Sequence, residues 1–257
     1  MIDDKVKKMR ETMKCGWDDA DLVCVSDQDE KKPAPPVMLS PLCPEKLIHL
    51  PSPDEAEVRD LDFLQLVRSR RSRRVYKAEA MTLAQLSCLL YCTQGYERPR
   101  PGQTSYAALR TVPSAGCRHP FDTYLSVMNV EGLESGIYRF LPKEHALEPV
   151  RAVPAKELRS MTAAACCDQG FCGRSAVTFF WAANMYRSEW RYPSGAHKIV
   201  LLDAGHVCQN LYMACEALGL GTCAIGAFDQ DYCDEMLGLD GTDVFTLYAA
   251  PVGVPRD

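Results

Sequence analysis

The chain has 257 residues, of which 47% are hydrophobic, 25% charged and 9% aromatic, the profile of one large globular domain or two small ones. This composition excludes a disordered, fibrous or membrane-spanning protein, and a chain of this length needs no disulfides to stabilise its core. The net charge of -5 has the wrong sign for binding nucleic-acid phosphates or an anionic membrane, so a small-molecule substrate is expected.

The N-terminal part, residues 1–56, is predicted to be an extended Pro-rich arm. Residues 1–16 predict a short helix and lack the apolar run of a signal peptide, so a cytoplasmic protein is expected. Seven of the 17 prolines fall between Pro33 and Pro53, where fixed φ angles and missing N–H groups exclude a helix. The apolar residues among these prolines favour an arm that lies along the body or across a partner subunit, and a plain linker is the alternative.

Residues 57–257 predict one domain with interspersed helices and strands. Apolar residues at helical spacing predict an amphipathic helix over 57–69, with Val58, Leu61, Leu64 and Leu66/Val67 on its stripe. A second helix is predicted between the N-cap Thr82 and Gly95. Periodicity then predicts strand 123–130, a hairpin around 142–144, strand 176–184, helix 197–219, a strand and turn over 221–228, helix 229–237 and strand 244–254. Because no regular βαβ repeat occurs, the fold class is predicted to be α+β.

The cysteines predict free thiols in a reducing compartment. There are 13 of them, an odd number, scattered without the paired C-x-x-C spacing of a metal or disulfide framework. Cys166, Cys167 and Cys172 suggest a metal or redox site, but no histidine or second cysteine pair lies near them in sequence. Small buried residues are therefore the favoured interpretation, and no metal is expected.

Two segments could bind a ligand. Residues 68–74, RSRRSRR, hold five arginines. They are interpreted as a solvated charged face or as an anion site in which guanidinium and serine hydroxyl groups grip a phosphomonoester. A nucleic-acid patch is less favoured, because no other basic cluster occurs. Residues 219–228, GLGTCAIGAF, allow a flat ligand to approach the backbone but lack the G-x-G-x-x-G pattern of a dinucleotide fold.

Five motifs, read in order, resemble the nitroreductase superfamily and within it the SagB-type dehydrogenases. They are RRSRR (70–74), VPSAGCRHPFDTYL (112–125), GLESGIYRF (132–140), the DAGH to FD block (203–229) and PVG (251–253). The resemblance covers residues 57–256. It implies a three-layer nitroreductase-like fold, with a central mixed sheet flanked by helices, in an intertwined homodimer that holds FMN at the subunit interface.

The resemblance also implies the residues that bind FMN. Arg70 and Ser72 would grip the phosphate or ribityl end, Arg71 would act mainly through its backbone, and Arg74 would reach the pyrimidine edge of the ring. The ring would be lined by Pro113, Ser114 and Ala115 of the partner subunit and by Ile225 and Gly226. Arg256 would complete the phosphate site. A guanidinium near the pyrimidine carbonyl favours the reduced flavin, which agrees with this assignment.

The expected function is that of an FMN-dependent oxidoreductase that passes hydride from NADH or NADPH to a small organic acceptor. One alternative is an azoline dehydrogenase that acts on modified peptides. The azole-forming relatives use a Lys-Tyr pair, whereas this chain has Arg191 and Tyr192, and an arginine cannot serve as a general base. These two residues are therefore weak catalytic candidates, and the flavin itself is expected to carry the chemistry. A non-catalytic flavin-binding or metal-binding protein is the other alternative.

Overall fold

The structure is a computed structural model that describes residues 3–10, 13–14 and 24–256. The described residues contain seven α-helices: α1 (Asp4–Met9), α2 (Phe63–Ser69), α3 (Leu83–Gln94), α4 (Ala155–Ala165), α5 (Tyr186–Glu189), α6 (Ala196–Ala217) and α7 (Gln230–Leu237). They also contain nine strands: β1 (Ile48–His49), β2 (Tyr96–Pro99), β3 (Ala108–Arg110), β4 (Phe121–Val127), β5 (Gly136–Leu141), β6 (Ala146–Ala152), β7 (Val177–Asn184), β8 (Gly221–Thr222) and β9 (Val244–Gly253).

Seven of these strands form one central sheet in the order β1-β6-β5-β4-β7-β9-β8, and β2 pairs with β3 separately. Neighbouring strands of the large sheet all run antiparallel. A parallel bridge between Ser72 and Thr222 extends its edge, and a second one joins Met81 to Val130. The expected mixed sheet is thus antiparallel in its named strand pairs, and the α+β class is confirmed.

Helices cover both faces of the sheet. Alternate residues of the central strand β7 point to opposite sides, so each face contributes side chains to a different core. Phe179 and Trp181 belong to a core shared with α3 and α6, whereas Phe180 and Ala182 belong to a core shared with α4 and α7. All four side chains are fully buried. The result is the expected three-layer arrangement, helices, sheet and helices.

The long helix α6 determines where the candidate site lies. Its buried stripe repeats at the predicted 3.6-residue spacing through Val200, Ala204, Val207, Leu211 and Cys215. The chain leaves the helix at Gly219, where φ is +71° and an ideal Cβ would lie 2.6 Å from the Arg59 guanidinium. The predicted end of this helix is therefore right within two residues.

The helix predicted over residues 57–69 is shorter than expected. The structure begins it at Phe63 because Asp62 forms a capping box with Gln65, each side chain bonding the other's backbone N–H. Val58 lies outside the helix and is 56% exposed, and Leu64 on the helix is 59% exposed. The apolar stripe predicted over 57–69 is therefore not part of this chain's core.

The Pro-rich segment follows the body of its own chain, held by arginine side chains. Prolines lack N–H groups, so the carbonyls of this segment need donors from elsewhere. Arginines of the body donate to the carbonyl oxygens of Pro35, Pro36, Val37 and Ser40. The predicted helix over 1–16 is observed as α1, and residues 1–2, 11–12 and 15–16 of that range lie outside the described part. No helix among the described residues is long and apolar enough to cross a membrane.

Candidate functional site

The arginine segment, residues 70–74, lies against α6 and the edge strand β8. Ser72 Oγ is 2.9 Å from the hydroxyl of Tyr212 on α6, and Arg73 N donates to Thr222 O at 2.9 Å. The Tyr212 hydroxyl also accepts a hydrogen bond from Ala224 N at 2.8 Å. One tyrosine thereby joins the arginine segment to the glycine-containing loop after β8.

The guanidinium groups of this segment have different partners. Arg70 lies over the Tyr212 ring at 5.3 Å, and Arg74 lies over the Phe171 ring at 6.0 Å. Arg73 pairs with Glu216 at 3.4 Å, and Arg71 Nη1 donates to the carbonyls of Arg68 and Arg70. Among the described residues, no carboxylate pairs with Arg70 or Arg74. These two cations, held by aromatic rings, can therefore bind an anion.

Residues 225 and 226 and the chain end lie along the same sheet edge. Ile225 is buried and exchanges backbone hydrogen bonds with Ala249 of β9. Gly226 is exposed, and an ideal Cβ there would have no neighbour within 4 Å. Arg256 is exposed, and its backbone N–H donates to Val75 O at 2.9 Å, close to the arginine segment. The structure therefore brings Arg70, Ser72, Arg74, Ile225, Gly226 and Arg256 to one edge.

The serine loop, residues 112–116, is held by a buried carboxylate of α6. Asp203 accepts hydrogen bonds from Ser114 Oγ at 2.5 Å and from Ala115 N at 3.3 Å. Burial raises the pKa of Asp203, while the bond from Ser114 acts in the opposite direction. Ser114 Oγ also accepts from His119 N, and Pro113 is exposed at the tip. This loop is thus fixed at its base and presents its tip to solvent.

Within one chain the predicted site residues form two separate groups. The serine loop contacts α6 at Asp203, and the arginine segment contacts it at Tyr212. Nine residues of helix separate these contacts, a rise of about 13.5 Å. The two groups therefore meet α6 at different turns of the helix.

Arg191 and Tyr192 lie beside the serine loop, which the sequence did not reveal. Gly116 has a φ of +61°, and an ideal Cβ there would lie 2.7 Å from Tyr192 Oη and 3.2 Å from Arg191 Cδ. The Arg191 guanidinium lies 5.3 Å from the Tyr192 ring centroid. Both weak catalytic candidates are therefore placed against a predicted cofactor-lining loop.

A group of buried arginines, also missed from the sequence, supports this region. Arg187 forms a buried ion pair with Asp122 at 2.8 Å and donates to Pro36 O at 2.9 Å. Arg118 donates to Arg187 O and lies 4.9 Å from the Trp190 ring. Burial and the nearby Arg110 lower the pKa of His119 to about 3, so this histidine is neutral. The cluster connects the Pro-rich segment to both the serine loop and Trp190.

The cysteine cluster belongs mainly to the core. Cys166 and Cys172 are fully buried, whereas Cys167 is exposed. A hydrogen bond with the Cys166 thiol, together with burial, raises the pKa of Cys172. Across the described ranges, no three His, Cys, Asp or Glu side chains are grouped as a metal site would need.

Comparison with known proteins agrees with this architecture. A family model described as the nitroreductase family matches residues 67–254. The protein MJ1384 of Methanocaldococcus jannaschii, named as a nitroreductase, is 32% identical over 206 residues, which cover 80% of this chain and 95% of that protein. The microcin B17-processing protein McbC of Escherichia coli is 24% identical over 167 residues, 63% of this chain and 59% of McbC. A structure named as a nitroreductase from Ralstonia eutropha JMP134 superposes with a TM-score of 0.65 at 26% identity, covering 88% of this chain and 98% of that one.

Proposed function

The chain belongs to the nitroreductase family of oxidoreductases, and from this membership we propose that it is an FMN-dependent, SagB-type enzyme. It passes hydride from NADH or NADPH to a small organic acceptor, in a site built from two copies of the chain. The observation that carries the proposal is the placement of Arg70 and Arg74, two cations held over aromatic rings beside Ser72 and the open Gly226.

The residues at this edge fit FMN in their chemistry. Arg70, Ser72 and Arg256 supply the charged and hydroxyl donors that a phosphomonoester needs. Gly226 leaves open space beside the backbone, as a flat ring requires. Arg74 supplies a positive charge for the pyrimidine edge, which favours the gain of electrons there. FMN, when bound, supplies the hydride-transfer and electron-transfer chemistry.

The protein's own contribution is binding, orientation and exclusion of water. Asp203 fixes Ser114 and Ala115 through its hydrogen bonds, so the serine loop is a preorganised wall. Buried Ile225 forms a second, apolar surface with its backbone fixed by Ala249. The proposed reaction requires no acid, base or nucleophile from the chain.

We further propose a homodimer, because the two groups of site residues lie apart on α6. Large apolar side chains are exposed on α2, just before it and on α6: Val58, Phe63, Leu64, Val67, Leu201 and Leu202 are 49–70% exposed. Large exposed apolar side chains are typical of surfaces that a partner covers, and obligate interfaces bury more than about 2,000 Å². We propose that a second copy covers this surface and that its serine loop lies at the first copy's arginine edge.

The cofactor assignment is tested by denaturing the purified protein and chromatographing the released small molecules. FMN is expected, with absorbance near ~450 nm before denaturation, as for any bound oxidised flavin. FAD in the supernatant, or no flavin after reconstitution with FMN, would overturn the proposal.

A second candidate function is favoured by the similarity to McbC, a protein named for processing microcin B17. By this reading the chain oxidises azoline rings in modified peptides and returns electrons to oxygen. Arg191 argues against it, because a guanidinium with a pKa above about 12 cannot accept the ring proton. Direct assay of an azoline peptide separates the two functions.

A further inference from the structure

Arg191 has a buried donor that nothing in the described chain satisfies. Its Nη1 is buried and has no hydrogen-bond partner there, while the guanidinium as a whole lies over the Tyr192 ring. Native proteins satisfy nearly all buried polar groups, so an unpaired one beside a candidate site indicates a position that a ligand, an ion or a water can occupy. The unpaired Nη1 therefore needs an acceptor from outside the described residues.

The acids near Arg191 are already engaged. Glu189, two residues earlier, lies 3.2 Å from His197, and Asp203 accepts from Ser114 and Ala115. Arg139 and Arg187, which are buried, have carboxylate partners in Glu148 and Asp122. Arg118 and Arg110, which are also buried, are satisfied by carbonyl and amide oxygens instead of acids. Arg191 Nη1 has neither kind of acceptor among the described residues.

A second cation strengthens the positive charge at this position. Arg118 lies close enough that repulsion from Arg187 and Arg191 adds to burial in lowering its pKa to about 10. Arg118 has its own acceptors in the carbonyls of Tyr106, Pro35 and Arg187. An anion at Arg191 would thus lie near two positive charges, those of Arg118 and Arg191. Of the two, Arg191 is the one with a donor, Nη1, that has no acceptor among the described residues.

Arg191 also packs against the serine loop, which is proposed to line the cofactor. Its Cδ and Nε would be 3.2 and 3.3 Å from a Cβ at Gly116, so its side chain packs directly on the serine loop. Ser114 and Ala115 of that loop are the residues proposed to line the cofactor ring. A group that contacts Arg191 is therefore next to the reacting part of the site.

We propose that Arg191 forms a carboxylate-binding subsite, and that the preferred acceptors of this enzyme carry an anionic carboxylate. A planar guanidinium offers paired N–H donors that match the two oxygens of a carboxylate. This inference rests on the proposed function, since it assigns the substrate class of the same site. It also gives a role to the arginine that stands where the azole-forming relatives have lysine.

The test is calorimetric titration of the protein as purified with 4-nitrobenzoate and with methyl 4-nitrobenzoate. The two ligands share a ring and a nitro group, and the ester lacks the charge. Wild type is expected to bind the acid about 10- to 100-fold more tightly than the ester, the range for one charge-assisted hydrogen-bond pair. Arg191→Gln should lose at least tenfold of this preference, and Arg191→Lys should keep part of it. Arg151→Gln, at an exposed site on β6, is the matched control and should keep all of it.

Equal affinities for acid and ester in the wild type, or an unchanged preference in Arg191→Gln, would overturn the inference. Weaker binding of NADPH but not of the acid in Arg191→Gln would also overturn it, because the anion would then be the donor's phosphate. The proposed function fails separately, if the protein takes up no FMN or does not reduce the ester with NADH or NADPH. Since calorimetry requires no turnover, the preference is measurable in either case.

Discussion

Replacing Asp122 by asparagine tests whether the buried arginine cluster holds the region behind the candidate site. Asp122 and Arg187 are 2.8 Å apart, and their side chains are only 7% and 2% exposed. Asparagine keeps the size and the acceptor oxygen but removes the charge, so Arg187 is left as a buried cation without a counter-ion. Removing one partner of a buried pair costs about 3–5 kcal/mol. Arg187 keeps its bonds to Pro36 O and His119 O, so we expect the low end, about 3 kcal/mol.

The assay is equilibrium unfolding in urea, in which the midpoint should fall with little change in the slope. The same loss corresponds to a fall in Tm of about 6–12 °C for a domain of this size. The control is Glu79→Gln, which breaks the exposed pair with Lys77 at 3.7 Å and should cost under about 0.5 kcal/mol. A loss below about 1 kcal/mol for Asp122→Asn would refute the reasoning, because Arg187 would then need no buried counter-ion.

Three further predictions concern the site. Arg70→Ala should weaken FMN binding by about 1.5–3 kcal/mol, the value of a charge-assisted hydrogen bond, whereas Arg74→Ala should mainly lower the flavin's reduction potential. Equal losses of affinity with unchanged potentials would show that the roles are misassigned. Wild type should oxidise azoline peptides poorly, and Arg191→Lys should gain this activity, because general-base assistance is worth about 10²–10⁴ in rate. Rapid oxidation by wild type would contradict this prediction. Stability should fall as pH decreases from 6.5 towards 3, because the unfolded chain protonates His119 while the native chain, with its pKa of about 3, does not. His119→Asn should flatten this part of the urea-midpoint profile against pH, and an unchanged profile would argue against a buried neutral histidine.

Periodicity in the sequence was sufficient for most elements of the domain. Helix α3 occupies the predicted interval, with Thr82 in a capping box and Gly95 donating to Tyr91 O. The hairpin of β5 and β6 and the strand β7 also agree with prediction within one residue at each end. These elements bury one face or both, and burial is what creates a periodic pattern.

The predicted start of α2 was wrong because the apolar residues used to predict it are not buried in this chain. Val58 and Leu64 are apolar but exposed, so their spacing reflects something other than this chain's core. A pattern that marks an interface looks the same in sequence as one that marks a core. The local signal that did decide the boundary was the Asp62–Gln65 capping box.

The contacts behind the site could not have been predicted from spacing. Arg187 meets Pro36, and Trp190 Nε1 donates to Lys32 O at 3.2 Å, across more than 150 residues of sequence. A usable signal existed, since single arginines interrupt otherwise apolar strands, as Arg139 does in β5. Such a residue is buried only if a partner is supplied, and its partner can come from any part of the chain.

The central claim, an FMN site completed by two chains, is tested most directly by light scattering with simultaneous absorbance detection on the reconstituted protein. The species that absorbs at about 450 nm, as bound flavin does, is expected to have twice the chain mass of 28.6 kDa and to carry one FMN per chain. A flavin-loaded species with the mass of a single chain at micromolar concentration would contradict it.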